Sequence, residues 1–185
     1  MDVMIDLETL SVVPESVLLT LAAVKFNPHN TVGVIDKLYH KLDIDEQTRS
    51  GRHIDDGTLA WWARQPASVY EDAMSEDGRI AVKDSLEQLT KFLVGVDSIW
   101  CQGPVFDIVI LENLYRSYEM HFPWAYWQIR DSRTLFKFMN YDPRSDIRKT
   151  DSKAHHNALD DAITQACAVQ RCYKLIKSSN LSELT

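Results

Sequence analysis

The beginning of the chain contains three apolar stretches with the composition of β-strands, and this run constrains the fold more than any other feature. The stretches are VMIDLET (3–9), SVLLTLAAVKF (16–26) and TVGVIDKLYHKLDI (31–44). The last two are joined by NPHN, a short turn-forming sequence. Strands joined by short turns pair as antiparallel neighbours, so the sequence predicts an antiparallel meander at the start of the chain.

Beyond Asp55 the pattern changes to helices that alternate with further short strands. Helices are predicted in DDGTLAWWARQ (55–65), VKDSLEQLTKFLVGV (82–96) and VFDIVILENLYRSYEM (105–120), and a last one from about Asn157 to Lys177. SIWCQG (98–103) is a short buried strand, and YWQIRDSRTLFKFM (126–139) combines a strand with a short helix. This order indicates an α/β or α+β layer fold with a mixed sheet.

The length and composition suggest a single domain in a reducing compartment. The 185 residues suit one domain, which we expect to span residues 1–177, with 178–185 as a flexible tail. The three cysteines form no CxxC pair and are interpreted as free, mostly buried thiols rather than as a zinc site. Neither a signal peptide nor a membrane span of roughly 20 apolar residues is recognisable. We therefore expect a cytoplasmic protein that does not bind membranes.

The net charge limits the possible nucleic-acid interactions without excluding them. A formal charge of −7 argues against a general polyanion-binding surface. A site of clustered carboxylates is itself acidic, however, and binds phosphate once divalent cations neutralise it.

The first strand carries two acidic side chains on one face. Asp6 and Glu8 are two residues apart, so both carboxylates project to the same side of a strand, while Ile5 and Leu7 face the other side. Adjacent carboxylates repel each other, and a fold tolerates them where a cation lies between them. A solvated strand face is the alternative interpretation.

A second cluster of ionisable residues, HHNALDDA (155–162), opens the last helix. Asn157 is suited to cap that helix, and Asp161 lies at the boundary of its apolar stripe. His156 precedes Asp161 by five residues, close enough for the two side chains to share a site. A capped helix with a solvated acid pair is the alternative.

A third acidic residue, Asp107, is surrounded by apolar neighbours. It lies between Phe106 and Ile108, just after the short strand SIWCQG. An acid in such a segment is rarely buried unless it is paired or binds a metal. The alternative is a carboxylate that interacts with the helix dipole.

In this order, Asp-x-Glu-Thr, Phe-Asp and His-x-Ala-x-x-Asp-Ala resemble the motifs of the DEDDh 3′→5′ exonucleases. This family has an RNase H-like fold and includes oligoribonuclease, RNase T and proofreading exonucleases. The resemblance extends from the first motif to the last helix. TLAWWARQ (58–65), WCQGPVFDIVIL (100–111) and RDSRT (130–134) are similar to the phage-encoded DexA-type exonucleases and the related bacterial 3′→5′ exoribonuclease group. The resemblance implies an RNase H-like α/β fold, with a mixed five-stranded sheet flanked by helices.

The resemblance also implies a catalytic set and its cofactors. It assigns the general base to His156 and binding of two divalent cations, Mg²⁺ or Mn²⁺, to four carboxylates: Asp6, Glu8, Asp107 and Asp161. Oxygen ligands suit hard cations, and two ions roughly 4 Å apart can stabilise the attacking and leaving oxygens of a displacement. An imidazole can accept a proton from the attacking water at neutral pH.

Two positions depart from the family pattern or leave a choice open. Many members have Asn four residues before the second-motif Asp, where this chain has Gly103, so a substrate contact differs here. The histidine is a doublet, and the family spacing of five residues before the last Asp favours His156 over His155.

Aromatic and basic residues are candidates for substrate binding. Trp61 and Trp62 are adjacent on a predicted helix, so they cannot both face the core. One interpretation is that one ring packs inside while the other half-covers a surface. The other is that one of them, which the sequence does not distinguish, stacks on the terminal base. Substrate binding is assigned to these two residues together with Thr9 and Gln65. A basic strip could guide a single strand, or could form a solvated loop: Arg130, Arg133, Arg144, Arg148, Lys149 and Lys153. Asp131 is a weaker candidate for supporting the site.

The sequence thus predicts a metal-dependent 3′→5′ exonuclease that acts on single-stranded RNA or DNA 3′ ends and releases 5′-mononucleotides. Relatives in this group are often homodimers, which makes a homodimer an expectation here. The alternative is a catalytically idle RNase H-like module that binds nucleic acid or a protein. Retention of all five catalytic residues favours the enzyme. An HD-type phosphohydrolase is disfavoured because the adjacent His-Asp pair is missing.

Overall fold

The computed structural model describes residues 1–30, 32–143 and 156–182. Within these ranges the strands are β1 (Asp2–Thr9), β2 (Leu18–Phe26), β3 (Asp36–Leu42), β4 (Arg79–Ile80), β5 (Ser98–Cys101) and β6 (Ile129–Asp131). The helices are α1 (Ile44–Arg49), α2 (Asp56–Trp62), α3 (Ala67–Met74), α4 (Val82–Phe92), α5 (Pro104–Ser117), α6 (Ser132–Phe138) and α7 (Ala158–Ser182).

The six strands form one mixed sheet in the order β4-β3-β2-β1-β5-β6. The antiparallel pairing of β1 with β2 and of β2 with β3 confirms the predicted meander. On the other side of β1, β5 and β6 are parallel to it and to each other. β1 is therefore a central strand, and the carboxyl ends of β1, β5 and β6 point towards the same edge of the sheet.

Helices cover both faces of the sheet, and the alternation along β1 explains how. Val3, Ile5 and Leu7 pack against α4 and α5 in one core. Met4 faces the opposite side and packs with Phe136 of α6 and the alanine-rich face of α7. Because the side chains of a strand alternate, Asp6 and Glu8 share the Met4 face, on the side of α7.

Four details differ from the sequence prediction. The sheet has a sixth strand, β4, whose two residues are too short to show a periodicity. Helices α1 and α3 were not predicted. α7 continues to Ser182, beyond the expected end at Lys177. β3 begins at Asp36, later than its apolar pattern indicated. The division into one domain and a tail stays a prediction.

The cysteines are mostly buried, as the apolar pattern around them predicted. The three cysteines are free, with Cys101 and Cys172 buried. None of the helices in the described ranges combines the length and apolar character that a membrane crossing requires.

Candidate active site

Three elements that are distant in sequence bring four carboxylates into one cavity. β1 supplies Asp6 and Glu8, α5 supplies Asp107 and α7 supplies Asp161. The cavity has a volume of about 790 Å³ and is open to solvent. The predicted residues therefore meet in space, although about 100 residues separate Asp6 from Asp107 along the chain.

The start of α7 places both Asp161 and His156. Oδ1 of Asn157 accepts hydrogen bonds from the backbone N–H groups of Leu159 (3.0 Å) and Asp160 (3.3 Å), which confirms Asn157 as the cap. Oδ2 of Asp161 accepts the backbone N–H of His156 at 3.2 Å. His156 has a φ of 70°, a left-handed conformation that turns the chain sharply into the helix. The cap and this hydrogen bond hold the imidazole near the carboxylates.

Asp107 lies in the first turn of α5 and is only 5% exposed. Its carboxylate accepts hydrogen bonds from its own backbone N–H and from that of Leu7 in β1. Through the second of these bonds the acid is tied to the central strand. Both interpretations from sequence apply: Asp107 is a helix N-terminal acid, and it is also buried in the cluster.

Three side chains that line the cavity bring possible metal-ligand atoms close together. A carboxylate oxygen of Glu8, a ring nitrogen of His156 and a carboxylate oxygen of Asp161 lie within 4.8 Å of one another. The imidazole also packs edge-on against Trp61, with ring centroids 4.8 Å apart. The His156 imidazole therefore lies close to both Glu8 and Trp61.

A family model described as the 3′-5′ exoribonuclease Rv2179c-like domain matches residues 1–173. The chain belongs to this family. An exodeoxyribonuclease of Enterobacteria phage T4 is 23% identical to it over 159 residues, which cover 72% of this chain and 69% of the phage protein.

Solved structures show the same fold. The nuclease domain of 3′hExo, a DEDDh family member bound to rAMP, superposes with a TM-score of 0.60 at 14% identity, and the match covers 94% of this chain and 91% of that one. Exonuclease X in complex with 5′ overhanging duplex DNA also gives 0.60, at 16% identity and with coverages of 95% and 92%. These matches confirm the RNase H-like fold, and with the family match they confirm a DEDDh-type 3′-5′ exonuclease, a hydrolase.

Burial raises the pKa values of three carboxylates of this exonuclease, and neighbouring negative charges raise two of them further. Burial raises the pKa of Asp6 well above its ordinary value, and the neighbouring charges of Asp107, Glu8 and Asp161 raise it further. Burial, followed by the charges of Asp161 and Asp107, raises the pKa of Glu8 to about 8. Burial raises the pKa of Asp107 to about 7, against the opposing effect of its backbone hydrogen bonds and of Arg133. Carboxylates packed this closely cannot all ionise at neutral pH unless cations compensate them.

The site fits the divalent ions that DEDDh exonucleases generally use. Its donors are carboxylate oxygens, the preferred ligands of hard cations. Gln165, one helical turn after Asp161, donates its Nε2–H to Oδ1 of Asp6 at 2.8 Å. The Oε1 of Gln165 is buried and has no hydrogen-bond partner in the described part of the chain. An unpaired buried acceptor of this kind suits a site that gains further polar groups when it is filled.

The two tryptophans divide as predicted, one inside and one at the surface. Trp62 is 1% exposed, and its indole Nε1–H donates to the backbone carbonyl of Thr9 at 2.9 Å. Trp61 is half-buried and lies edge-on to Trp62, with ring centroids 5.0 Å apart. Both rings line a second cavity of about 430 Å³ with Thr9 and Phe106.

The other predicted substrate contacts are less direct. The Thr9 hydroxyl donates to the carbonyl of Ser11 at 2.6 Å. Gln65 donates its Nε2–H to the carbonyl of Trp61 at 3.0 Å and does not line either cavity. Gln65 therefore stabilises the end of α2.

The predicted basic strip is only partly in the described ranges. Arg144, Arg148, Lys149, Lys153 and also His155 lie outside them. Arg130 donates to the carbonyls of Trp127 (2.5 Å) and Ile129 (3.0 Å), away from the cavity. Asp131 caps α6 by accepting the Arg133 N–H at 3.0 Å. Arg133 itself lines the cavity, together with Lys137.

Sequence reasoning did not single out Gln165 or Lys137. The signal for Gln165 was its position four residues after Asp161, which places both on the same face of a helix. The signal for Lys137 was the same spacing from Arg133.

Proposed function

We propose that the protein hydrolyses the last phosphodiester bond at the 3′ end of single-stranded RNA or DNA and releases a 5′-mononucleotide. The observation that supports this most strongly is the convergence of Asp6, Glu8, Asp107 and Asp161 with His156 in one open cavity. An idle binding module would have no need for four mutually repelling acids that are buried or half-buried, since these destabilise the fold when no cation is bound.

The four carboxylates would hold two divalent cations, Mg²⁺ or Mn²⁺. When bound, these ions neutralise the acids and stabilise negative charge on the attacking and leaving oxygens. Gln165 orients Asp6 through its Nε2–H, and the backbone N–H of Leu7 orients Asp107. Such supporting hydrogen bonds reduce the reorganisation that cation binding would otherwise require.

His156 would act as the general base. Its ring nitrogen lies within 4.8 Å of carboxylate oxygens of Glu8 and Asp161, so a water in this space is within reach of the imidazole. Proton transfer by a positioned group of this kind contributes roughly 10²–10⁴-fold to a rate.

The smaller cavity would bind the terminal nucleoside. It shares Glu8 with the carboxylate cavity, so a nucleoside there places its 5′ phosphate beside the acids. The Trp61 ring offers a surface for the base, and Thr9 lies at the end of β1 beside the sugar. Trp62 acts indirectly here, since its indole N–H holds the Thr9 carbonyl.

A side-by-side degradation assay tests the proposal. Matched 5′-labelled RNA and DNA single strands, each with a 3′-hydroxyl or a blocked 3′ end, are incubated with Mn²⁺. We expect a descending ladder from at least one free 3′ end and none in EDTA. Internal cuts in the blocked strands would indicate an endonuclease, and intact strands with tight binding would indicate an idle module. Sedimentation of the same preparation tests the expected homodimer.

A further inference from the structure

The two cavities of the site share Glu8 and differ in charge. Leu7, Glu8 and Phe106 line both. The smaller cavity has aromatic walls, and none of its described lining residues is cationic. The larger one contains Arg133 and Lys137, the two lysine or arginine side chains among its described lining residues. A nucleic-acid strand in the site would therefore have a base beside α2 and a phosphate beside α6.

The local structure directs Arg133 and Lys137 to the same wall. They are four residues apart on α6, so they project from the same face of the helix. The helix start is fixed by Asp131, whose carboxylate accepts the backbone N–H of Arg133 at 3.0 Å and the hydroxyl of Thr134 at 2.5 Å. Both side chains are exposed and reach the cavity from this fixed position.

The backbone just before α5 holds the guanidinium of Arg133 in position. Its Nη2 donates to the carbonyl of Gln102 at 2.7 Å, and the group lies over Gly103. A Cβ at position 103 would lie 3.6 Å from Nη2, and the φ of +133° disfavours any side chain there.

The remaining donors of Arg133 are available for an anion. No carboxylate in the described ranges lies within the 4.0 Å salt-bridge distance of the guanidinium. A guanidinium presents five N–H donors and pairs with phosphate through two of them at once. A solvent-facing arginine fixed by a single carbonyl, in a cavity that would bind nucleic acid, suits this pairing.

We propose that Arg133, assisted by Lys137, binds the phosphate one nucleotide upstream of the scissile bond. The inference rests on the proposed function and extends it, because it gives the direction of the strand. The terminal nucleoside lies on the Trp61 side, the scissile phosphate lies at the four carboxylates, and the preceding phosphate lies against α6. The competing interpretation is that Arg133 only balances the charge of Asp107, whose pKa it lowers.

A double-mutant cycle with modified substrates distinguishes these interpretations. Two pentanucleotides are compared, made of RNA or DNA according to which one the enzyme degrades. One is fully charged, and the other has an uncharged methylphosphonate at the second linkage from the 3′ end. The initial release of the terminal nucleotide is measured for the wild type, Arg133→Gln and Lys91→Gln. Lys91 is an exposed lysine of α4 outside the lining of both cavities, and its variant is the matched control.

We expect Arg133→Gln to lower kcat/KM for the charged pentanucleotide roughly tenfold, as the loss of a charge-assisted phosphate contact does. The methylphosphonate should cost the wild type and Lys91→Gln a similar factor. In Arg133→Gln the methylphosphonate should lower kcat/KM less than twofold, because the contact is already missing. If the two losses multiply instead, Arg133 does not bind this phosphate.

A binding version of the cycle separates this proposal from the proposed function. Fluorescence anisotropy of the same pentanucleotides, with Mg²⁺ and in an Asp161→Asn background, needs no catalysis. A methylphosphonate penalty that disappears in Arg133→Gln supports the phosphate contact even if no nucleotide is released. A penalty that persists refutes the contact even in an active exonuclease.

Discussion

Replacing Glu8 by Gln should stabilise the metal-free protein at alkaline pH. The pKa of Glu8 is raised from an ordinary 4.5 to about 8, first by burial and then by the charges of Asp161 and Asp107. A glutamine of the same shape removes the negative charge that the fold disfavours. The same substitution removes a proposed cation ligand, so we expect stability and function to change in opposite directions.

The size of the effect follows from linkage between protonation and folding. An acid with a raised pKa in the folded state is bound to its proton more tightly when folded, so stability falls as the pH rises from about 4.5 to about 8. Each pKa unit corresponds to about 1.36 kcal/mol, which sets an upper bound of roughly 5 kcal/mol above pH 8. Solvent in the open cavity reduces this bound to about half, in line with a high effective dielectric constant. At roughly 2–4 °C per kcal/mol, Glu8→Gln should raise the Tm by roughly 5–10 °C at pH 9.

Thermal unfolding in EDTA at pH 5 and pH 9 measures this difference. The matched control is Glu87→Gln, the same chemical change on the exposed face of α4, which should shift the Tm by less than about 2 °C at both pH values. At pH 5 the difference between Glu8→Gln and the wild type should nearly vanish. Mg²⁺ at pH 8.5 should stabilise the wild type more than the variant. A variant that melts at or below the wild-type temperature at pH 9 in EDTA would refute the coupling of these acids.

Three further substitutions test individual residues of the site. His156→Ala should lower kcat roughly 10²–10⁴-fold with little change in Mn²⁺ affinity by calorimetry, whereas His155→Ala should have a much smaller effect; the reverse order would exchange their roles. Trp61→Ala should lower kcat/KM roughly 5- to 100-fold in the degradation assay, since a stacked base is worth about 1–3 kcal/mol, and an unchanged value would place the base elsewhere. Gln165→Leu should weaken Mn²⁺ binding roughly 10–100-fold by calorimetry without lowering the Tm in EDTA, because it also removes a buried unpaired acceptor; unchanged Mn²⁺ affinity would show that Asp6 needs no such support.

The main features of the fold could be predicted because they depend on local periodicity. Two-residue alternation in β1 requires Asp6 and Glu8 to share a face, whatever the rest of the chain does. The turn between β2 and β3 is short enough to require antiparallel neighbours. β4 and the helices α1 and α3 escaped prediction because they are too short for a pattern to emerge from a single sequence.

The tertiary structure decided which residues complete the site. Adjacent tryptophans are equivalent in sequence, and only packing against the end of β1 makes Trp62 a core residue and leaves Trp61 beside His156. Gln165 likewise acquires its significance from a contact with a carboxylate on another element. Arg133 acquires its significance from its contact with the backbone beside Gly103.

The sequence by itself therefore determined the main strand pattern and the helix caps, because these depend on neighbours within a few residues. The set of acids followed from the resemblance to the exonuclease family. The convergence of β1, α5 and α7, the raised pKa values and the charge difference between the two cavities depend on distances through space. Long-range packing sets those distances, and with them the desolvation and repulsion that make four carboxylates a site for cations.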